Sequence, residues 1–260
     1  MVTTTSPYRA PKALSIFGIS EIPEIFPGDD LAEVIVRALQ KMGDRIKDDD
    51  ILVIAQKIVS KSEGRQVHLS SVTPSSRAID LGEKTEKDPR LVELILKESN
   101  AVVAYRPGVL IVEHKSGIVL ANAGIDRSNV PEGCQDDTVL LLPEDADQSA
   151  ASIRKKLGSK VGIIINDSVG RAWRLGTIGT AIGASGLSTL VNLNGNPDRN
   201  ARALQSTLIA LADELAAAAS IVMGQAAEGI PVVVIRGMEK SDLKGTARQI
   251  IRPHQMDLFR

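Results

Sequence analysis

The chain has 260 residues, with 31 Lys plus Arg against 32 Asp plus Glu, and its formal charge of -1 excludes the broad cationic attraction on which sequence-independent nucleic-acid binders depend. Hydrophobic residues at 43% and charged residues at 24% are the mixture of a folded globular chain, not of a disordered one. Aromatic residues make up only 2%, namely Tyr8, Phe17, Phe26, Tyr105, Trp173 and Phe259, so the core must be aliphatic and no base-stacking platform can be assembled. The lone Cys134 excludes an internal disulfide and any multi-cysteine metal cluster, and fits a reducing cytoplasm. No apolar run approaches the roughly 20 residues of a membrane span. The short apolar segment from Ala13 to Ile19 runs into Ser20, Glu21 and Pro23 without a small-residue cleavage pattern, so a cytoplasmic protein is expected. Residues 1–13 are expected to be flexible, and 14–260 to form one unit or two interwoven subdomains.

Along the chain, Ser15 to Ile19 reads as a short strand. Asp29 and Asp30 then cap a helix in which Leu31, Val34, Ile35, Ala38, Leu39 and Met42 recur at helical spacing up to Gly43. Ile51 to Ala55 and Ile58 to Ser60 are β-rich, separated by Gln56 and Lys57. Thr73-Pro74 and Asp88-Pro89 place capping side chains before prolines, which predicts helices over about 75–86 and 90–98. Ala101 to Tyr105, Val109 to His114 and Ile118 to Ala121 are punctuated by turn residues and predict an antiparallel meander. After a polar stretch from Asn122 to Gln135, Thr138 to Leu142 returns to strand. Ala146 to Leu157 reads as a helix and Val161 to Ile165 as a buried strand ending at Asn166 and Asp167. A Gly- and Arg-rich loop, a strand from Ser188 to Leu193, a long alanine-rich helix from Leu204 to Met223 and a buried strand from Pro231 to Ile235 complete the pattern. Helices and strands mix without regular alternation, so an α+β arrangement is expected over a doubly wound parallel sheet.

Phosphate-binding, dinucleotide, zinc-protease and serine-hydrolase motifs are all absent, and His68, His114 and His254 share no metal-ligand spacing. Three polar clusters remain, each read as sitting where a strand or helix ends. They are 122–129 with Asn122, Asp126 and Asn129; 166–171 with Asn166, Asp167, Ser168 and Arg171; and 224–229 with Gly224, Gln225 and Glu228. Each alone is accounted for as a capped turn, because Asp and Asn are common there. Taken together, two aspartates, a hydroxyl and a further oxygen donor suit magnesium or manganese bridging phosphates. Lys57, Lys61, Arg65, Arg171 and Arg174 offer the positive charge that a phosphoryl-transfer site needs, or else a solvated surface.

The strings PGDDL (27–31), VSKSEGR (59–65), NAGIDRSNV (122–130), NDSVGRAWRLGTIGTAIGASG (166–186), VMGQAAEGIPVVVIRG (222–237) and IRPHQMDLFR (251–260) resemble the coenzyme F420:L-glutamate ligase family, in the same order, from about Leu14 to the last residue. The resemblance implies a γ-glutamyl ligase: GTP phosphorylates the lactyl carboxylate of a deazaflavin precursor, the amine of L-glutamate displaces phosphate, and a further glutamate can follow through a γ-glutamyl bond. It implies magnesium or manganese at two sites, stimulation by potassium, and a two-subdomain α+β fold with mixed and antiparallel sheets in an intertwined homodimer. Nucleic acid and membrane are not expected partners.

Carried over by position, the metal ligands fall on Asp126, Asp167, Ser168 and Gln225. The family often carries glutamate where Gln225 stands, so the second metal site has one negative charge fewer here. GTP contacts fall on Ile22, Pro23, Glu24, Ile25, Gln56, Lys57, Lys61 and Asn129, and on Met223, Gly224, Gln225, Ala226, Ala227, Glu228, Gly229 and Ile230. Gln56 and Lys57 replace small hydroxyl residues of some members. Asp126, Asp167 and Lys61 are the expected catalytic residues. Two other readings, a metal-dependent phosphohydrolase and a non-catalytic nucleotide-binding scaffold, would show GTP turnover without the deazaflavin, or nucleotide binding without phosphate release.

Overall fold

The computed structural model describes residues 10–127, 137–158, 160–238 and 244–258. Its central element is a mixed sheet in the order β1-β12-β2-β8-β9, formed by Ser15–Gly18 (β1), Ile51–Ala55 (β2), Gly162–Arg171 (β8), Arg174–Ser185 (β9) and Val232–Arg236 (β12). Only β2 and β8 run parallel; every other pairing in it is antiparallel. The inner strands are near-continuous Ile, Leu and Val, because both their faces are covered.

Alternation along each strand sorts these residues into two cores. Leu52, Ile54, Ile163, Ile165, Val232 and Val234 meet the helices Leu31–Lys41 (α1) and Ala146–Leu157 (α5). Ile51, Val53, Ile164, Val233 and Ile235 meet the alanine face of Leu211–Met223 (α6). A third cluster lies under Ser76–Thr85 (α3) and Pro89–Lys97 (α4), which cover the antiparallel meander Ser99–Arg106 (β4), Val109–His114 (β5) and Val119–Ala121 (β6). Gln66–His68 (β3) and Thr138–Leu140 (β7) form a separate short ribbon, as do Val191–Asn192 (β10) and Leu208–Ile209 (β11).

Of the three capping signals read from the sequence two hold and one shifts, and a further helix, α5, has a cap of the same kind. Asp30, Asp88 and Asp145 accept backbone N–H groups at the starts of α1, α4 and α5, whereas α3 is capped by Ser75 rather than by Thr73. The expected α+β mixture and the meander are present. No helix among the described residues is long and apolar enough to cross a membrane.

Three expectations are corrected. Ile58 to Ser60 is not a strand but part of the short helix Gln56–Ser62 (α2), in which Ile58 and Val59 pack into the core below β2. The helix read from Leu204 begins only at Leu211, since Leu208 and Ile209 form β11 and pair with β10. The stretch between Asp167 and Ser188 is not a loop: β8 continues past Asp167 to Arg171 and the chain returns as β9, making a long hairpin. Its glycines and small residues permit strand pairing under a close helix, which composition alone reads as a turn.

Candidate functional site

The sheet topology brings distant segments to one edge. In the parallel pair, Ala55 stands beside Asn166, so Asp167 and Ser168 project just beyond the end of β2, next to the first turn of α2. The antiparallel neighbours β1 and β12 have their opposite ends here. The segment leaving β1 and the residues entering β12, Ile230 and Pro231, therefore meet at the same place. The result is a cleft of about 710 Å3.

Most of the expected contacts line it: Ile22, Pro23, Glu24 and Ile25; Gln56, Lys57 and Lys61; Met223 to Ala226 and Glu228 to Ile230; with Asp167 and Ser168. Ala227 is not among the lining residues, and Asn129 lies outside the described residues, as does Cys134. Arg65 is not brought to the cleft; it is held by the Glu98 carboxylate at 2.7 Å and the Leu142 carbonyl at 2.9 Å, beside a different cavity. Arg171 and Arg174 stand at the tip of the β8–β9 hairpin, not in the cleft, so the basic grouping read from the sequence reduces to Lys57 and Lys61. None of His68, His114 and His254 lines the cleft. Ala55, Ile58 and Pro231 form part of its wall without any sequence signal beyond belonging to apolar runs.

Asp126 is not among the residues lining the cleft; a strained turn delivers it to Lys57, which is. Asn122, Ala123 and Gly124 all have positive φ, at 53°, 54° and 69°, a conformation that costs an alanine about 1 kcal/mol or more. Leu142 fills the space where a Cβ at Gly124 would stand, 2.7 Å from its Cδ1, so glycine is required there. Asp126 then exchanges two backbone hydrogen bonds with Leu140, at 2.8 and 2.9 Å. This fixes its carboxylate against Lys57, whose Nζ is 2.7 Å from Oδ2. Lys61 is buried and paired with Glu24.

The four oxygen-bearing residues fall into two pairs. Asp167 shares the environment of Asp126 and Lys57. Burial raises its carboxyl to about 6, with the Asp126 charge pushing the same way, while the Ser168 N–H and Lys57 oppose it. Ser168 is the next residue of the strand, so its side chain leaves the opposite face, and its hydroxyl donates to Gln225 Oε1 at 2.8 Å. Gln225 itself follows the left-handed Gly224 (φ 72°) that ends α6, and the loop is closed by the Ala226 N–H donating to Glu228 at 2.8 Å.

Each pair, two carboxylates on one side of the strand and a hydroxyl with an amide oxygen on the other, offers only the oxygen donors that a hard dication takes. Such ions take few protein ligands and complete their shell with water or phosphate. Among the described residues no group of three or more His, Cys, Asp and Glu gathers.

The family model described as F420-0:Gamma-glutamyl ligase matches residues 19–237. The chain is 43% identical over 253 residues to the coenzyme F420:L-glutamate ligase of Methanothermobacter thermautotrophicus, covering 95% of this chain and 99% of that one. It is 44% identical over 245 residues to the ligase of the same name from Methanopyrus kandleri, covering 91% and 94%. With the counterpart from Methanocaldococcus jannaschii the identity is 45% over 219 residues, covering 83% and 86%.

Proposed function

The chain belongs to the F420-0:gamma-glutamyl ligase family, and we propose that it joins L-glutamate to the lactyl carboxylate of the deazaflavin precursor of coenzyme F420 at the expense of GTP. The observation that carries the site assignment is the convergence of 22–25, 56–58, Lys61, 167–168, 223–226 and 228–230 on one cleft. In the proposed reaction the precursor carboxylate attacks the γ-phosphorus of GTP. The bond to GDP breaks and an acyl phosphate forms; the glutamate amine then attacks its carbonyl carbon, and phosphate leaves as the amide is made. A further glutamate enters by the same two steps at the γ-carboxylate of the first.

No protein nucleophile is required, because both bond-forming atoms belong to substrates, and the chain contributes position and charge. Lys61, buried at the cleft wall and paired with the exposed Glu24, is proposed to neutralise phosphate. The backbone of the Gly224–Glu228 loop and the apolar walls from Ile22 and Ile230 are proposed to hold the nucleotide. Asp126, Asp167, Ser168 and Gln225 are the residues that would hold two magnesium or manganese ions, which when bound spread the negative charge of the transferring phosphoryl group. Potassium is a proposed activator.

The deciding assay is mass spectrometry of the product from purified protein, GTP, L-glutamate and the precursor. The expected result is a mass gain of one or more glutamyl units with matching GDP and phosphate release. GTP turnover that is indifferent to the precursor would sink the ligase reading.

The chain is also proposed to act as a homodimer. At the hairpin tip Trp173 and Leu175 are 81% and 99% exposed, an apolar pair suited to cover by a second copy. Sedimentation of Leu175→Ser is expected to shift the protein toward monomer; an unchanged dimer places the contact elsewhere, and a monomeric parent chain removes the dimer altogether.

A further inference from the structure

We propose that Lys57 and the dication compete for one oxygen, so that metal binding at Asp126 expels the Lys57 ammonium toward nucleotide phosphate and couples the two ligands. This rests on the reading of the cleft as a metal and nucleotide site, which it extends. Lys57 Nζ sits 2.7 Å from Asp126 Oδ2, the position a hard cation would take. The ammonium and a dication cannot share that oxygen at contact distance, because the repulsion between them in a partly desolvated cleft is large compared with thermal energy.

The two ends of the exchange are already built. Asp126 is pinned by its backbone bonds to Leu140, so the carboxylate stays while its counter-ion changes. Lys57 stands at the start of α2, on the cleft wall, with four flexible methylenes and a side chain 36% exposed, so its ammonium has room to swing toward an anion in the cleft. Asp167 feels both Asp126 and Lys57, which places all three charges within one electrostatic neighbourhood.

Lys61 supplies an internal comparison. It lines the same cleft, but its partner is Glu24, which is not among the oxygens assigned to metal. Of the two lysines that line the cleft, the exchange therefore belongs to Lys57. Because linkage is reciprocal, whatever the ammonium costs the metal, the metal returns to the phosphate by releasing it.

Two binding measurements on the full chain test this without turnover. In the first, Mn2+ alone is titrated calorimetrically. Lys57→Met is expected to bind Mn2+ about tenfold more tightly than the parent chain, while Lys57→Arg, which keeps the ion pair, and Lys61→Met show little change. In the second, GTP is titrated in EDTA. Asp126→Asn is expected to bind metal-free GTP several-fold more tightly, because its Lys57 is already released, and Lys57→Met more weakly. Mn2+ uptake that depends on Asp167, combined with no shift in either variant or with equal tightening in Lys61→Met, would overturn the exchange and leave the site standing. No Mn2+ uptake by the parent chain, with or without GTP, would remove the metal site and the exchange with it.

Discussion

Asp167→Asn is expected to lower metal-dependent ligation by at least about a hundredfold while making the metal-free protein more stable at neutral pH. Both effects have one cause. The Asp167 carboxyl is raised to about 6 from an ordinary value of 3.8, chiefly by burial and then by the nearby Asp126 charge. An unfolded chain releases this proton near its ordinary value, whereas the folded chain holds it up to about 6. Between these values the folded state carries more protons than the unfolded one, so stability falls as pH rises, and the loss is complete above about 6. A neutral amide keeps the oxygen that accepts the Ser168 N–H but never carries the charge. It should therefore recover about 1–3 kcal/mol at pH 7 and nothing below pH 4. Thermal unfolding of metal-free protein at both pH values measures the gain; a variant less stable than its parent at pH 7 contradicts the assignment of strain, and full turnover contradicts the assignment of metal.

How much of this could be read before the structure differs by element, for physical reasons. The helices α1 and α4 announce themselves because each carries a side chain that caps its own first turn, a local interaction that needs no partner elsewhere in the chain. The meander does so through its turn residues and strand-forming runs. Helix α2 has no side-chain cap and contains β-branched Ile58 and Val59; tertiary burial of those residues holds it, and local preference points the other way. The β8–β9 hairpin is hidden for a related reason, since its Asn, Asp, Ser and Gly are turn-formers used here as strand. In the cleft, Asp167, Ser168 and Gln225 are legible through the long family strings, but the partners of the charges are not. Arg65 looks like a phosphate ligand until the fold gives it to Glu98, 33 residues away, and Lys57 looks like a free cation until the strained turn at Asn122–Gly124 delivers Asp126 to it.

The hairpin also predicts the strongest dependence of the site on a residue that touches no ligand. Gly179 lies on β9 directly opposite Ser168, and α6 passes so close that a Cβ at Gly179 would collide with the Ala216 carbonyl and stand 2.7 Å from Asn166 Oδ1. The small face of α6, with Ala212, Ala216 and Ala219 all buried against the sheet, is what allows this approach. The obstructing atom is helix backbone, which cannot move by a rotamer change, so Gly179→Ala must push the helix outward. Such overpacking costs about 2–4 kcal/mol when backbone is displaced.

Because α6 ends in Met223 and Gly224, moving it also carries Gln225 away from Ser168, to which it is bonded at 2.8 Å. Gly179→Ala is thus expected to lower the denaturation midpoint and metal-dependent turnover together. Gly170→Ala on the same hairpin, where an added Cβ would meet nothing within 4 Å, should leave both nearly unchanged. Denaturant titration of the two variants beside the parent chain separates packing from composition. If Gly179→Ala proves as benign as Gly170→Ala, then α6 does not hold the Gln225 loop in place by contact with β9, and the geometry of the second oxygen pair has another origin.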